Sequence, residues 1–351
     1  MRQQWIRISL IVCLLLTFLF AAGIGAMKIP VNEVLGMLGQ KLGLPVSQVA
    51  DEAVQNVFWQ IRLPRVVMAV LVGAGLSVAG ASLQGLFRNP LADPMLIGIS
   101  SGASLAAVLM IVLLSALPVA WFTIIPKYYV LNLATFAGAC ICSVLVFRLS
   151  TVGRHTSVAN VLLAGLAIAA LCNALIGLIT YTANDEELRT ITFWNLGSLG
   201  GSSWSTVTAV APFCGLPILL LPLLSKALNA YSLGEAEAGY LGINVRRLKW
   251  LVITLATLSV GAAVATCGII GFVGLVVPHI LRTATGTDHR HLLFNSALLG
   301  AILLTLADTL GRTLIAPAEL PIGIVTAMIG TPVFIALLLR QRRKPGGLGL
   351  A

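Results

Sequence analysis

The chain has 351 residues, 58% of them hydrophobic and 10% charged, against about 25% charged in an ordinary soluble domain. With a mean hydropathy of +0.99 this excludes a water-soluble globule. The net charge of +10 invites a nucleic-acid partner, but the basic residues sit at the ends of long apolar runs and form no continuous stripe, which excludes that reading.

A membrane-crossing helix needs about 20 mainly apolar residues. The first candidate is 8–27, preceded by Arg2 and Arg7 and ended by Gly25 and Ala26. It reads as an uncleaved first helix, with a cleaved signal peptide as the alternative. Further apolar stretches follow at 63–86, 95–117, 128–149, 158–180, 205–228, 250–267, 269–283, 292–312 and 322–340. The stretch 269–283 is too short to cross alone. Gly268, Gly271 and Gly274 mark it as a short or broken helix held against neighbours, because irregular backbone at membrane depth is tolerated only inside protein or along a wet cavity. The fold class is therefore an all-α polytopic membrane protein of about ten transmembrane helices in a single domain, 1–351.

Small residues recur within these helices, as at Gly73, Gly75, Ala79 and Gly80, and at Gly98 with Gly102. That spacing lets helix backbones approach closely. A Gly-rich helix followed by a polar break occurs twice, at Gly73–Gly85 before Asn89-Pro90-Leu91, and at Gly261–Gly274 before Pro278-His279. The pairing suggests an inverted repeat, a common transporter device.

Placing the N-terminus in the cytoplasm puts most Lys and Arg residues there, including Arg2, Arg7, Arg88, Arg246, Arg247, Arg282 and Arg340. The positive-inside rule then sets both termini in the cytoplasm. Trp59, Tyr128, Tyr129, Trp204 and Trp250 fall near segment ends, where amphipathic rings prefer the interface. The six cysteines lie inside apolar stretches with no C-x-x-C pair and read as packing residues.

No apolar segment carries an acid at its middle; Asp308, toward the outer end of the ninth, comes nearest. Ion-driven carriers usually keep ionisable residues at depth. Nor does the chain contain the Gly-rich, Lys-bearing loop that cradles nucleotide phosphates. These absences argue that the energy for transport enters from elsewhere, as a separate ATPase subunit would supply it, and the segment 229–249 is the expected contact. Leu233, Ala236, Tyr240 and Leu241 fall at helical spacing there, with Glu235 and Glu237 on other faces, and Gly239 and Gly242 are expected to split it into two short helices. Such a helix fills a groove in a partner; a helix lying in the lipid interface is the alternative. His155, His279, His289 and His291 all fall at cytoplasmic helix ends, away from any pathway, with His289 and His291 in an exposed loop beside Arg290.

The 229–249 segment resembles the coupling loop of permeases for iron-siderophore, haem and cobalamin import, the FecCD family of ABC transporters. Five further strings resemble that family in its order: Ile61-Arg-Leu-Pro-Arg65, Arg88-Asn-Pro-Leu-Ala-Asp-Pro94, Leu163-Ala-Gly-Leu166, Gly271-Phe-Val-Gly-Leu-Val-Val-Pro-His279 and Glu319-Leu-Pro-Ile-Gly323. The resemblance implies the cobalamin-importer type of permease (type II ABC importer) in a bacterial inner membrane. It implies a homodimer, two cytoplasmic ATPase subunits that use the ATP, and a periplasmic substrate-binding protein, with no cofactor or metal on this chain itself. It assigns docking of the binding protein to Arg62, Arg65 and Arg312, which the orientation above places at the outer surface. ATPase coupling falls to Leu233, Gly234, Glu235, Ala236, Ala238, Gly239, Leu241 and Gly242. A cytoplasmic gate falls to Asn89, Leu91, Thr156 and Ser157, and the pathway to helix 158–180 with Asn173. The string Phe193-Trp-Asn-Leu-Gly-Ser-Leu-Gly-Gly201 resembles the haem branch, which orders the ligands as haem, ferric siderophore, cobalamin. Two other classes compete: an ion-coupled carrier, disfavoured by the missing midplane acids, and a membrane enzyme or scaffold, disfavoured because no catalytic group converges at one depth.

Overall fold

The computed structural model describes residues 2–25, 27–43, 51–94, 98–117, 126–152, 155–156 and 158–342. All ten expected apolar segments are helical. They are α1 (Arg2–Gly23), α4 (Leu63–Leu86), α5 (Ile99–Ala116), α6 (Lys127–Ser150), α7 (Val158–Thr182), α9 (Trp204–Leu220), α12 (Val245–Cys267), α13 (Val273–Thr285), α14 (His289–Gly311) and α15 (Ile322–Arg342). Among the described residues, eight helical runs are long and apolar enough to cross a membrane. A short ladder pairs Thr151 with Thr156 and Val152 with His155.

Five short α-helices complete the fold among the described residues. Of these, α2 (Val31–Lys41) and α8 (Asp185–Leu196) were not foreseen, because both are too polar to register as spans. The other three are α3 (Glu52–Asn56), which runs through a π-helical turn at Val57–Arg62 into α4, and the pair α10 (Ser225–Leu233) and α11 (Glu235–Tyr240). The α3–α4 run covers 35 residues. At 1.5 Å per residue it is about 50 Å long, so one end projects beyond a hydrocarbon layer about 30 Å thick.

Helix α4 is the central post, packed against α9, α12, α13 and α14. Its glycines are the reason it fits there. A methyl group on Gly73 would collide with the backbone of Gly300 in α14, and one on Gly80 with the backbone of Gly274 in α13. Gly102 and Gly138 bring α5 and α6 together in the same way. Small residues replace the hydrophobic drive that lipid cannot supply between helices.

The short segment 269–283 is broken as expected. Gly268 (φ 70°) ends α12, and Phe272 (φ 67°) starts α13 in the left-handed region. The irregular stretch between them is covered: Ser198 N–H donates to Cys267 O at 2.7 Å, and Ile322 N–H donates to Gly197 O at 3.1 Å. The second half of the suggested inverted repeat is therefore corrected. Gly261 and Gly274 lie on two different helices, and Pro278 and His279 lie inside α13 rather than in a polar break.

The two ends of the bundle are chemically distinct. At the basic end, the start of α1 meets the end of α13, with Gln3 Nε2 donating to Thr285 O at 2.7 Å. At the far end, the last turn of α1 meets the start of α4 and the end of α14 through arginine side chains.

Candidate functional site

The three arginines gather at the far end, as expected. Their orientation differs from expectation: they point inward. Arg62 and Arg312 are only 5% and 7% exposed. Arg62 Nη1 donates to Gly23 O at 2.7 Å and Ala22 O at 3.3 Å, and its Nη2 donates to Met27 O. It thereby satisfies carbonyls at the C-terminus of α1, where the helix dipole favours a cation. Arg312 Nη2 donates to Ala21 O at 2.5 Å and to Thr309 Oγ1 at 3.3 Å. Arg65 grips Asp308 through Nε at 3.0 Å and Nη2 at 2.8 Å, while Nη1 donates to Glu319 Oε1 at 2.9 Å. Asp308 also lies 3.5 Å from Arg312 Nε. The three guanidiniums, expected at the outer surface, form an internal clamp joining α1, α4, α14 and the segment after α14. Burial forces this, since a guanidinium without a partner in a low-dielectric site is expensive. The outward rim of the clamp is Glu319, whose side chain is 46% exposed. Gly200, in the string that resembles the haem branch, sits over the Arg65–Glu319 pair.

At the basic end, α10 and α11 form the expected short helix pair. The break falls at Gly234 (φ 155°), however, and Gly239 lies inside α11. A side chain at Gly234 would strike the Glu237 carboxylate. Gly242 (φ 81°) ends the pair, as anticipated. Leu233, Tyr240 and Leu241 are 70%, 91% and 62% exposed, and Ala236 is exposed beside them. Ala238 is fully buried and anchors the opposite face. Glu235 takes both carboxylate oxygens to Lys249 Nζ at 2.9 Å. Lys249 and Arg88 both lie over the ring of buried Tyr231, at 5.8 and 4.7 Å from its centroid. The pair is thereby fixed to α4 and α12 while its apolar edge stays open.

Asn89 and Leu91 share one turn, with Asn89 Oδ1 accepting from Leu91 N–H at 2.9 Å. Thr156 closes the two-residue ladder before α7. Ser157 lies outside the described residues. Helix α7 touches mainly α5 and α6 and leaves Leu163, Leu166, Leu171 and Leu178 between 61% and 68% exposed. Asn173 is on its exposed surface.

Two polar arrangements escaped the reading of the sequence. Asn229 Oδ1 accepts from His289 backbone N–H at 2.9 Å and pairs with His289 Nδ1 at 2.8 Å, while its Nδ2 donates to Asp288 Oδ1 at 2.6 Å. His289 is therefore corrected from an exposed loop to a buried first-turn position, 5% exposed. Burial works against the Asp288 carboxylate, but the Arg290 N–H and the Asn229 amide hold it below the usual carboxylate range. At the other end, Glu187 closes a capping box with Asn184, and Ser115 Oγ also donates to it. These donors hold Glu187 below the ordinary range too. The capping box was readable as Asn184-x-x-Glu187; the Asn229 contact joins residues 60 apart and has no local signal.

Comparison with known proteins follows this geometry. The model of the FecCD transport family matches residues 13–340. The hemin transport system permease protein HmuU of Yersinia pestis is 48% identical over 298 residues, covering 85% of this chain and 87% of that protein. The Fe(3+)-citrate import system permease protein YfmE of Bacillus subtilis is 40% identical over 337 residues, covering 95% of each. A solved metal-chelate-type ABC transporter in an inward-facing conformation superposes with a TM-score of 0.82 at 35% identity, covering 96% of this chain and 99% of that one.

Proposed function

The chain belongs to the FecCD transport family, and from that premise we propose that it is the permease of an ATP-driven importer whose cargo is haem, moved from periplasm to cytoplasm. The permease works as a homodimer with two separate ATPase subunits and one periplasmic binding protein. The observation that carries this reading is the apolar edge of α10–α11: Leu233, Ala236, Tyr240 and Leu241 stand exposed on a rigidly held helix pair at the basic end. Side chains of that kind, in water, match a hydrophobic groove of a partner. The positive-inside rule puts this end in the cytoplasm, with both termini, in an inner membrane.

ATP binding and hydrolysis on the ATPases move the α10–α11 pair, and the Glu235–Lys249 and Arg88–Tyr231 contacts pass that motion to α12 and α4. The turn at Asn89 and Leu91, with Thr156 and Ser157, forms the cytoplasmic gate. Helix α7 lines the pathway between two copies. Its bare leucines suit a protein neighbour or lipid, and Asn173 suits a wet path, since a polar group facing lipid carries a cost. The binding protein docks over the far end, where Arg62, Arg65 and Arg312 fix the surface and Glu319 forms its rim.

Support for haem over other iron complexes is the identity to the hemin permease and the 193–201 string seated on the Arg65–Glu319 pair. Ferric siderophore is the second reading, supported by the likeness to the Fe(3+)-citrate permease; cobalamin is the third. The test is uptake into vesicles carrying the complete complex with its binding protein, offered haem, a ferric siderophore or cobalamin in parallel. ATP-dependent accumulation of haem alone is expected. Accumulation of a siderophore or cobalamin without haem would replace the cargo, and uptake driven by a proton gradient without ATP would replace the mechanism.

A further inference from the structure

At the basic end, α4, α10, α13 and α14 border an open pocket of about 540 Å³, lined by Gln84, Arg88, Ser232, His279, Arg282 and His289 among others. None of its lining residues is an acid. Arg282 makes no ion pair or side-chain hydrogen bond among the described residues, unlike the arginines of the far end. His289 is 5% exposed and has one ring nitrogen on Asn229; its Nε2, against Gly85 in the pocket wall, has no partner.

The backbone at Arg88 is a separate observation. Helix α4 ends in a Schellman arrangement, with Asn89 N–H donating to Gln84 O at 3.1 Å and Arg88 N–H to Gly85 O at 3.3 Å. Arg88 holds the left-handed position of that cap, at φ 48°. Glycine is favoured there, because a Cβ crowds the following carbonyl oxygen. From this position Arg88 lines the pocket, with its guanidinium over the Tyr231 ring.

We propose that this pocket binds a phosphate group, gripped by Arg88 and Arg282. Guanidiniums match phosphate oxygens in planar, paired geometry, and an anion between them removes the cost of two cations facing one cavity without a counter-charge. The volume exceeds one phosphate with a few waters, at about 30 Å³ per water, so it also admits the head of an anionic phospholipid. A free phosphate and a lipid phosphate present the same chemistry. The proposal does not depend on which cargo is carried.

The test uses the full-length chain in two settings. In lipid-free detergent, the thermal midpoint is followed while inorganic phosphate replaces chloride at constant ionic strength. In nanodiscs, it is followed as phosphatidylglycerol replaces phosphatidylcholine. A rise with phosphate identifies a free anion; a rise only with phosphatidylglycerol identifies a lipid headgroup. In either case Arg282→Gln weakens the response about tenfold in midpoint concentration, the loss of one charge-assisted contact. Arg88→Gly weakens it similarly, read as the phosphate-dependent shift alone, since the relieved cap and the lost Tyr231 contact both act on its midpoint without phosphate. No rise in either setting, or a rise that Arg88→Gly and Arg282→Gln both retain, overturns the proposal.

Discussion

Asp308 is the residue on which the far end depends. It is 3% exposed and is shared by Arg65 and Arg312. Removing one partner from a buried ion pair leaves an uncompensated charge and costs about 3–5 kcal/mol, more than the pair itself contributes. Asp308→Asn is therefore expected to lower unfolding free energy in mixed micelles by that order, whereas Glu319→Gln, at the exposed rim, is expected to cost under about 1 kcal/mol. Equal losses would show that the clamp is not organised around Asp308. The same contrast separates folding from docking. Arg62→Glu and Arg312→Glu disturb the fold, so binding-protein docking is better read from Glu319→Lys, which reverses the rim charge and is expected to weaken docking measured by pull-down while leaving insertion intact. At the other end, donors hold the Asp288 carboxylate below its ordinary range. A depressed carboxylate contributes stability that is complete above its unfolded pKa and lost as pH falls through the lower native one. The cap it forms on α14 is thus intact at neutral pH, and a melt against pH shows its loss only in acid; Asp288→Asn removes that acid dependence.

Among elements, α4 and the α10–α11 pair make opposite demands. In α4, 20 of its 24 residues are buried, and Gly73 and Gly80 meet backbone directly. Gly80→Leu cannot be absorbed by a rotamer change because the obstacle is the Gly274 backbone, and overpacking of this kind costs about 1–3 kcal/mol or more; folded yield in detergent measures it. In α10–α11 the apolar edge is largely exposed, so Leu233→Asp with Tyr240→Ala is expected to leave folded yield unchanged while abolishing ATP-driven uptake. The ten apolar segments were legible because bilayer thickness imposes length and composition on any span. The break at 268–272 was legible because glycines interrupt a run too short to cross. Helices α2 and α8 were not, since an interfacial helix carries no span-length signal. The place of the break in the coupling segment was misjudged for a related reason. Several glycines were available, and it is Gly234 whose backbone takes the φ of 155° that separates the two helices.

For the whole molecule, the central claim is that a bundle lacking its own energy source is worked from the cytoplasm by another polypeptide through one exposed helix pair. The arginines show how far a sequence carries such a picture: their clustering at one end followed from topology, while their inward orientation depended on partners far away in the chain, α1 carbonyls for Arg62 and Arg312 and two carboxylates for Arg65. The proposed orientation puts Tyr240, 91% exposed, in the cytoplasm. The most direct measurement is labelling of Tyr240→Cys, in a background without the six native cysteines, by a membrane-impermeant maleimide. The account predicts no labelling from outside in cells whose outer barrier is opened, full labelling in inside-out vesicles, and protection when the ATPase is bound. Labelling from outside, or labelling in inside-out vesicles that the ATPase does not diminish, would contradict it.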